Sequence, residues 1–405
     1  MIARVTVRTT MDFAFSPVEE AFRARIREWL RANLPEGWGT PRHPKATTPA
    51  EKVAFARQWQ RKLYDGGWAG ISWPKEFGGQ ALSPLEQLLF REEYFAAGAP
   101  DMIDIAIGLN LVGPTLIHHG TEAQKARFLD PILRGDEVWC QGFSEPDAGS
   151  DLAALRTRAE VTGDHLVVNG QKVWTSYARY AEWCILIVRT NPAAPKHRGL
   201  TFALLDMKTP GITIRPLVEM TGVAWFNEVF FENVVIPRDM VVGEIDRGWD
   251  IAITTLSHER GTVVPYQRLQ NQLDGVAALA RRLPTDGRPA ADPLVRQRLA
   301  RLAIDVAVLR LSTYRNITEI MRSGRPGPEG SMLKLLWSEL EQQIMEAANW
   351  ISGPYGQLDE HAPHAHDEGR WQYGYLWSRA ATIYAGTSEV QRNVIAQRVL
   401  GLPRG

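Results

Sequence analysis

Apolar positions follow a helical period in the first third of the chain. Phe22 and Ile26 recur at helical spacing after Ser16-Pro17, a pair that is typical of a helix start. Two more segments before residue 100 also have apolar residues at helical spacing, and a glycine- and proline-rich loop separates them. We therefore predict an all-helical domain over residues 12–136, preceded by a short leader at residues 1–11.

The period changes to two near Glu137. The run HLVVNGQKVW places Asn169-Gly170 between two alternating apolar segments, which predicts a β-hairpin turn at that dipeptide. Four further apolar runs follow between residues 183 and 235, a spacing typical of a small sheet or barrel. We predict a central β domain over residues 137–245.

The helical period returns after Gly248 and continues almost to the end of the chain. Trp249, Ile253 and Leu256 lie on one predicted apolar stripe, and further helices follow. We predict a C-terminal helical domain over residues 246–405. The order of helices, strands and helices places the chain in the α+β class, with helix as the main component.

Composition excludes several classes of function. The 405 residues include 46 Lys and Arg against 46 Asp and Glu, and this zero net charge argues against nucleic-acid binding. No run approaches the roughly 18 apolar residues of a membrane span, so we predict no membrane insertion. Two cysteines without a CxxC pair suit a reducing compartment, and we expect a cytoplasmic protein. His361, His364 and His366 lie in a proline-broken loop that would not fix metal geometry, and we predict no metal site.

Two segments contain residues that are unusual for a core. In CQGFSEPDAGSDL, at residues 140–152, small and polar residues could present backbone N–H and hydroxyl groups to a ligand, although an ordinary connecting loop reads similarly. In RAATIYAGTSEVQRN, at residues 379–393, Gly386 permits close backbone approach and Thr387 can begin a helix. Each signal is weak when taken alone.

Four motifs in order give a stronger signal. They are GFSEPDAGSD at 142–151, NGQKVWTS at 169–176, EVFFENVVIP at 228–237 and IYAGTSEVQRNVIAQRVLGLPR at 383–404. On these motifs the chain resembles the acyl-CoA dehydrogenase family from about Phe13 to its last residue. The resemblance implies an N-terminal helical domain, a small β-barrel-like domain and a C-terminal four-helix bundle. It also implies FAD as cofactor, an acyl-CoA substrate and an electron-transfer flavoprotein as acceptor.

The resemblance assigns roles to individual positions. The positions matching FAD contacts are Phe143, Ser144, Trp174, Ser176, Arg282 and Thr387. The positions matching acyl-CoA contacts are Ser150, Arg260 and Arg392. Read without the family, Trp174 is equally a core residue and Ser144 a turn residue.

The catalytic base departs from the commonest family pattern. Many members use the glutamate of a YEGT motif, but this chain reads Tyr384-Ala385-Gly386-Thr387. Other members place the base in an LxxER segment, which Leu256 to Arg260 matches, so we expect Glu259 to be the base. The alternative is a surface glutamate paired with an arginine. The resemblance further implies that the Ala385 backbone N–H polarises the thioester carbonyl.

Two further departures fall on the inter-subunit FAD contact of the family. No Phe-Gly follows Arg282, and Trp350 replaces a family Gln or Glu. We predict an oxidoreductase that converts an acyl-CoA, branched, long or ring-bearing, to a trans-2-enoyl-CoA. We expect a homo-oligomer such as a homotetramer, or a heteromer with a paralogue. The alternatives are a dehydrogenase acting on a carrier-bound acyl group and a non-catalytic subunit of a heteromeric enzyme.

Overall fold

The computed structural model describes residues 14–39, 43, 46, 48–102, 105–261, 266–283 and 289–403, except for the side chains of 259–261. Helices come first along the chain, a single sheet follows, and helices complete it. The predicted α+β class with mainly helical content is therefore confirmed. The predicted leader at 1–11 lies outside the described residues.

The N-terminal helices begin at strong capping sequences. Their bounds are α1 Pro17–Asn33, α2 Pro49–Asp65, α3 Pro84–Ala96, α4 Gly113–His119 and α5 Glu122–Arg134. Four of them, all but α4, start with a Ser or Thr whose hydroxyl accepts from the backbone N–H three residues on, while a Glu or Gln at that position bonds back. Ile26, Trp59, Leu89 and Leu116 pack in one core beneath these helices.

Eight strands form one sheet between the two helical parts. Their bounds are β1 Trp139–Gly142, β2 Arg158–Thr162, β3 His165–Lys172, β4 Trp183–Arg189, β5 Leu200–Asp206, β6 Ile212–Leu217, β7 Phe226–Pro237 and β8 Val241–Val242. Their order is β6-β7-β3-β2-β4-β5-β8, with β1 pairing parallel to β4. Because the loops after β1 and β3 are hydrogen-bonded to each other, the sheet brings two of the four motifs together.

The hairpin predicted at Asn169-Gly170 is wrong. Strand β3 runs straight through the dipeptide, and the β2–β3 turn lies earlier, with Gly163 in the left-handed region at φ 59°. Opposite the dipeptide, β7 carries one extra residue, so the register between β3 and β7 shifts there. Gly170 is required for a different reason, since a Cβ at this position would lie 2.7 Å from the Cα of Thr157. Close approach of β2, rather than a turn, selects the glycine.

The C-terminal helices pack mainly around α9. Their bounds are α6 Gly248–Gly261, α7 Tyr266–Arg282, α8 Pro293–Ser323, α9 Gly330–Ile351, α10 Arg370–Trp377 and α11 Ser388–Val394. In α6, Trp249 and Leu256 of the predicted stripe pack against the core beside the buried Ile251, Ala252 and Thr255, whereas Ile253 is exposed. The reason is that α6 packs against β5 and α4, where the hydroxyls of Thr255 and Thr115 lie 2.8 Å apart. Within the described ranges, no helix has both the length and the apolarity to cross a bilayer.

Candidate active site

Two loops of the central sheet lie side by side at the ends of β1 and β3. The Val173 N–H donates to the Ser144 carbonyl at 2.9 Å. Lys172 Nζ donates to the Phe143 carbonyl and to Glu145 Oε1, also at 2.9 Å in each case. The loop that follows β1 is therefore held by the end of β3, through both main chain and side chain.

The Lys172–Glu145 pair lies in the interior of the protein. Lys172 is 0% exposed and Glu145 is 8% exposed. The Glu145 carboxylate also accepts from the backbone N–H groups of Arg156 at 2.6 Å and Thr157 at 2.9 Å. Burial lowers the pKa of Lys172 even though the Glu145 charge acts to raise it. Burial acts to raise the pKa of Glu145, but the Lys172 charge and these hydrogen bonds leave it below the ordinary value.

An exposed tryptophan lies in the loop after β3. Trp174 is 59% exposed and takes the left-handed conformation at φ 59°, which is costly for a bulky residue and turns the chain at the end of β3. Its ring meets Phe226 edge-on at 5.8 Å, and Phe226 stacks on Trp377 of α10 at 6.2 Å. Trp225 Nε1 also donates to the Tyr373 hydroxyl at 3.1 Å. Aromatic contacts thus connect the loops to the C-terminal helices.

The segment around Ala385 has a fixed, unusual backbone. Ala385 and Gly386 both have positive φ, 52° and 89°. Their carbonyls accept from the buried Gln391 side-chain amide at 3.2 Å each. The Thr387 hydroxyl accepts from the Val390 N–H at 3.2 Å and so caps α11. This segment is therefore held by its own helix, independently of any ligand.

An open cleft of about 450 Å³ lies beside the start of α11. It is lined by Glu339, Gln342, Gln343, Glu346, Thr382, Ile383, Thr387, Ser388, Glu389 and Arg392. Arg392 forms an ion pair with Glu339 across this cleft. Two of the predicted site residues, Thr387 and Arg392, thus share one polar cleft.

Other predicted site residues are placed differently. The Phe143 ring is buried against Phe202, so only its backbone remains for a ligand, and its carbonyl is already taken by Lys172. Ser150 is exposed. Arg282 donates to both carboxylate oxygens of Asp367 at 2.8 Å, an intrachain pair that competes with the predicted cofactor contact. The side chains of Glu259 and Arg260 lie outside the described residues, although the α6 backbone continues past them.

Sequence reasoning missed a histidine group between α4 and α6. The rings of His118 and His258 lie 5.3 Å apart, and those of His118 and His119 lie 6.4 Å apart. Burial lowers the pKa of His258 and of His119, and the neighbouring imidazoles add to this effect. His258 directly precedes the predicted base Glu259 on α6, whereas His118 and His119 lie on α4.

Comparison with known proteins follows the same division of the chain. Family models match it over residues 16–136 as acyl-CoA dehydrogenase N-terminal domain, over 140–234 as the middle domain and over 246–400 as the C-terminal domain. The chain therefore belongs to the acyl-CoA dehydrogenase family, a class of oxidoreductases. This confirms the resemblance drawn from the four motifs.

Particular relatives extend the likeness over nearly the whole length. Acyl-CoA dehydrogenase IpdE1 of Mycobacterium tuberculosis is 41% identical over 401 residues, covering 95% of this chain and 98% of that protein. The Tcur3481-Tcur3483 steroid ACAD superposes with a TM-score of 0.83 at 31% identity, covering 98% of this chain and 100% of that chain. The ChsE4-ChsE5 complex from Mycobacterium tuberculosis gives the same TM-score at 32% identity and the same coverage.

Proposed function

We propose that this chain is an FAD-dependent acyl-CoA dehydrogenase that forms a trans-2-enoyl-CoA. The observation that carries this proposal is the platform formed by the loops after β1 and β3, which Lys172 and Glu145 hold together and which carries the exposed Trp174. A solvent-facing tryptophan in a left-handed conformation is unfavourable unless a partner surface uses it. A flat aromatic cofactor would use it.

The residues present fit FAD. Ser144 and Ser176 are half-buried residues of the two loops, and the exposed Trp174 lies two residues before Ser176, so the loops offer both hydroxyl groups and an apolar ring to a flat cofactor. Thr387 would lie towards the ribityl-phosphate part, at the start of α11. When bound, the flavin supplies the acceptor for a hydride from the substrate β-carbon. Electrons would leave through an electron-transfer flavoprotein.

The protein side of the reaction is proton removal. Glu259 would take the proton from the α-carbon of the thioester, and its helix places it four residues after the buried Thr255. The Ala385 N–H would polarise the thioester carbonyl and so acidify that proton. The fixed backbone around Ala385, held by Gln391, supports this role because it needs no rearrangement. Ser150, Arg260 and Arg392 would contact the acyl-CoA.

A heteromeric enzyme is the second candidate, and a specific observation favours it. Both positions at the inter-subunit FAD contact are engaged within this chain: Arg282 pairs with Asp367, and the Arg298 guanidinium lies 5.4 Å from the centre of the Trp350 ring. Both solved relatives are pairs of differently named proteins. A paralogous subunit would then complete the FAD site that a second copy of this chain cannot.

Replacing Glu259 by Gln tests the catalytic proposal. The variant should bind flavin with an unchanged visible spectrum but fail to reduce it rapidly when acyl-CoA is added without oxygen. Expressing the chain alone and together with a neighbouring paralogue, and comparing the flavin content of each preparation, separates the homomeric from the heteromeric form. If Glu259→Gln does not affect turnover by the assembled enzyme, this chain is a non-catalytic subunit.

A further inference from the structure

A partly buried polar group lies next to the Ala385 segment, between α7 and α9. We call it the Arg268 cluster; it consists of Arg268, Gln272, Glu341 and Tyr384. Arg268 Nη2 lies 3.1 Å from Glu341 Oε1, and Gln272 Nε2 donates to the same oxygen at 3.3 Å. Arg268 also interacts with the Tyr384 hydroxyl. Glu341 is only 3% exposed, whereas Tyr384 is 36% exposed.

Three side chains of this cluster each have a buried polar atom without a hydrogen-bond partner in the described part of the chain: Arg268 Nε, Gln272 Oε1 and Glu341 Oε2. Each such atom costs about 1–3 kcal/mol when it stays unpaired. Three of them on side chains that contact one another are unusual, because buried polar groups in native proteins nearly always find a partner. The cluster is therefore built to receive something polar.

The Arg268 cluster adjoins the segment proposed to hold the thioester. Tyr384 immediately precedes Ala385, the residue proposed to hold the thioester carbonyl. Its ring lies 6.1 Å from that of Trp337, which fixes Tyr384 against α9. Helix α7 follows α6, which carries Glu259. A group bound at Arg268 would thus belong to the same molecule whose thioester lies at Ala385, and this step rests on the proposed function.

The unused atoms define the chemistry of that group. Arg268 Nε–H can only donate, whereas Glu341 Oε2 and Gln272 Oε1 can only accept. A carbonyl oxygen would leave both acceptors unpaired, and a carboxylate would meet the negative charges of Glu341 and of Asp101, which also acts on Arg268. A hydroxyl both accepts and donates, and it is neutral. We propose that the Arg268 cluster recognises a hydroxyl group on the acyl part of the substrate.

Matched substrates test the proposal. The probes are 3-cyclohexylpropanoyl-CoA and its three analogues with a hydroxyl at ring position 2, 3 or 4. The assembled enzyme is assayed for kcat and KM with each ester. The test variant is Arg268→Met with Glu341→Leu, because replacing both members of a buried pair by apolar residues avoids leaving an uncompensated charge. The control variant is Arg301→Gln with Asp305→Asn, which removes a pair on the outer face of α8 with a similar N–O distance of 3.0 Å.

The ratio of kcat/KM between a hydroxylated ester and the plain ester is the readout, because it cancels differences in the amount of active enzyme. Wild type and control should favour at least one hydroxylated ester by about 10- to 100-fold, since a site built for a hydroxyl rejects the analogue that lacks it. The Arg268→Met, Glu341→Leu variant should lose that preference. The inference is overturned if the preference survives in this variant. It is also overturned if wild type oxidises the plain ester but shows no preference for any hydroxylated ester. If none of the four esters is oxidised by wild type but another acyl-CoA reduces the flavin, the inference is overturned and the proposed function stands. If no acyl-CoA reduces the flavin, the proposed function fails and the inference falls with it.

Discussion

Replacing Lys172 by Met tests whether the buried ion pair holds the cofactor platform. The change removes the only cation recorded against the Glu145 carboxylate in the described residues, and it removes the donor to the Phe143 carbonyl. Glu145 would keep its two backbone donors but remain charged and 8% exposed. Breaking a buried pair on one side costs about 3–5 kcal/mol, so the free energy of unfolding should fall by that amount. Flavin content should fall with it, because Ser144 follows the freed carbonyl.

Urea unfolding followed by tryptophan fluorescence, together with the flavin-to-protein absorbance ratio, measures both effects. Lys196→Met is the matched control, since Lys196 pairs with Asp151 on the surface near the same loop, and such exposed pairs contribute about 0–1 kcal/mol. Adding Glu145→Gln to Lys172→Met should recover part of the loss, because the stranded charge disappears while an acceptor remains for the backbone. If Lys172→Met unfolds at the same urea concentration as Lys196→Met and keeps its flavin, the clamp is refuted.

Three further changes test other parts of the account. Glu259→Gln should slow flavin reduction by acyl-CoA about 100-fold or more with the spectrum unchanged, because an amide cannot take the α-proton; an unaltered rate in anaerobic stopped flow would remove Glu259 from the reaction. Gly170→Ala should lower the free energy of unfolding by about 1–3 kcal/mol, because its methyl group would overlap Thr157; wild-type stability in urea would speak against close packing of β2 and β3. Burial lowers the pKa of both His119 and His258, so below pH 6.5, the ordinary histidine value, the unfolded chain binds more protons than the folded one and the free energy of unfolding falls. Changing both histidines to Gln should reduce this loss of stability. Equal pH slopes for wild type and this double variant, measured by urea unfolding at about pH 7.5 and 5.5, would exclude that source of acid sensitivity.

The sequence predicted structural elements well where the interactions that form them join residues only a few positions apart. Ser83 and Glu86 form a capping box at the start of α3, a pattern that can be recognised from the sequence alone. Asn169-Gly170 failed because a long-range contact with Thr157 uses the glycine, and no local pattern reports that contact. Local chemistry thus predicts where helices begin more reliably than it predicts why a glycine is present.

Some functional residues could have been predicted from the local sequence pattern, and others depend on contacts between distant parts of the chain. Lys172 could have been found from the sequence, since the alternation along β3 places it on the same face as the buried Leu166 and Val168. A lysine at an inward position requires a buried acid as partner. Arg268 and Glu341 could not have been paired in this way, because they lie on two helices far apart in the chain and only the packing of α7 on α9 joins them.

Anaerobic titration of the purified flavoprotein with acyl-CoA esters, followed through the visible absorbance of oxidised flavin, tests the central claim most directly. The preparation should include the chain alone and the chain with a co-expressed paralogue. The account predicts bound oxidised flavin that bleaches with at least one ester, and that stays oxidised in the Glu259→Gln variant. Flavin that no ester reduces, or a protein that binds no flavin in either preparation, would contradict an acyl-CoA dehydrogenase active site in this chain.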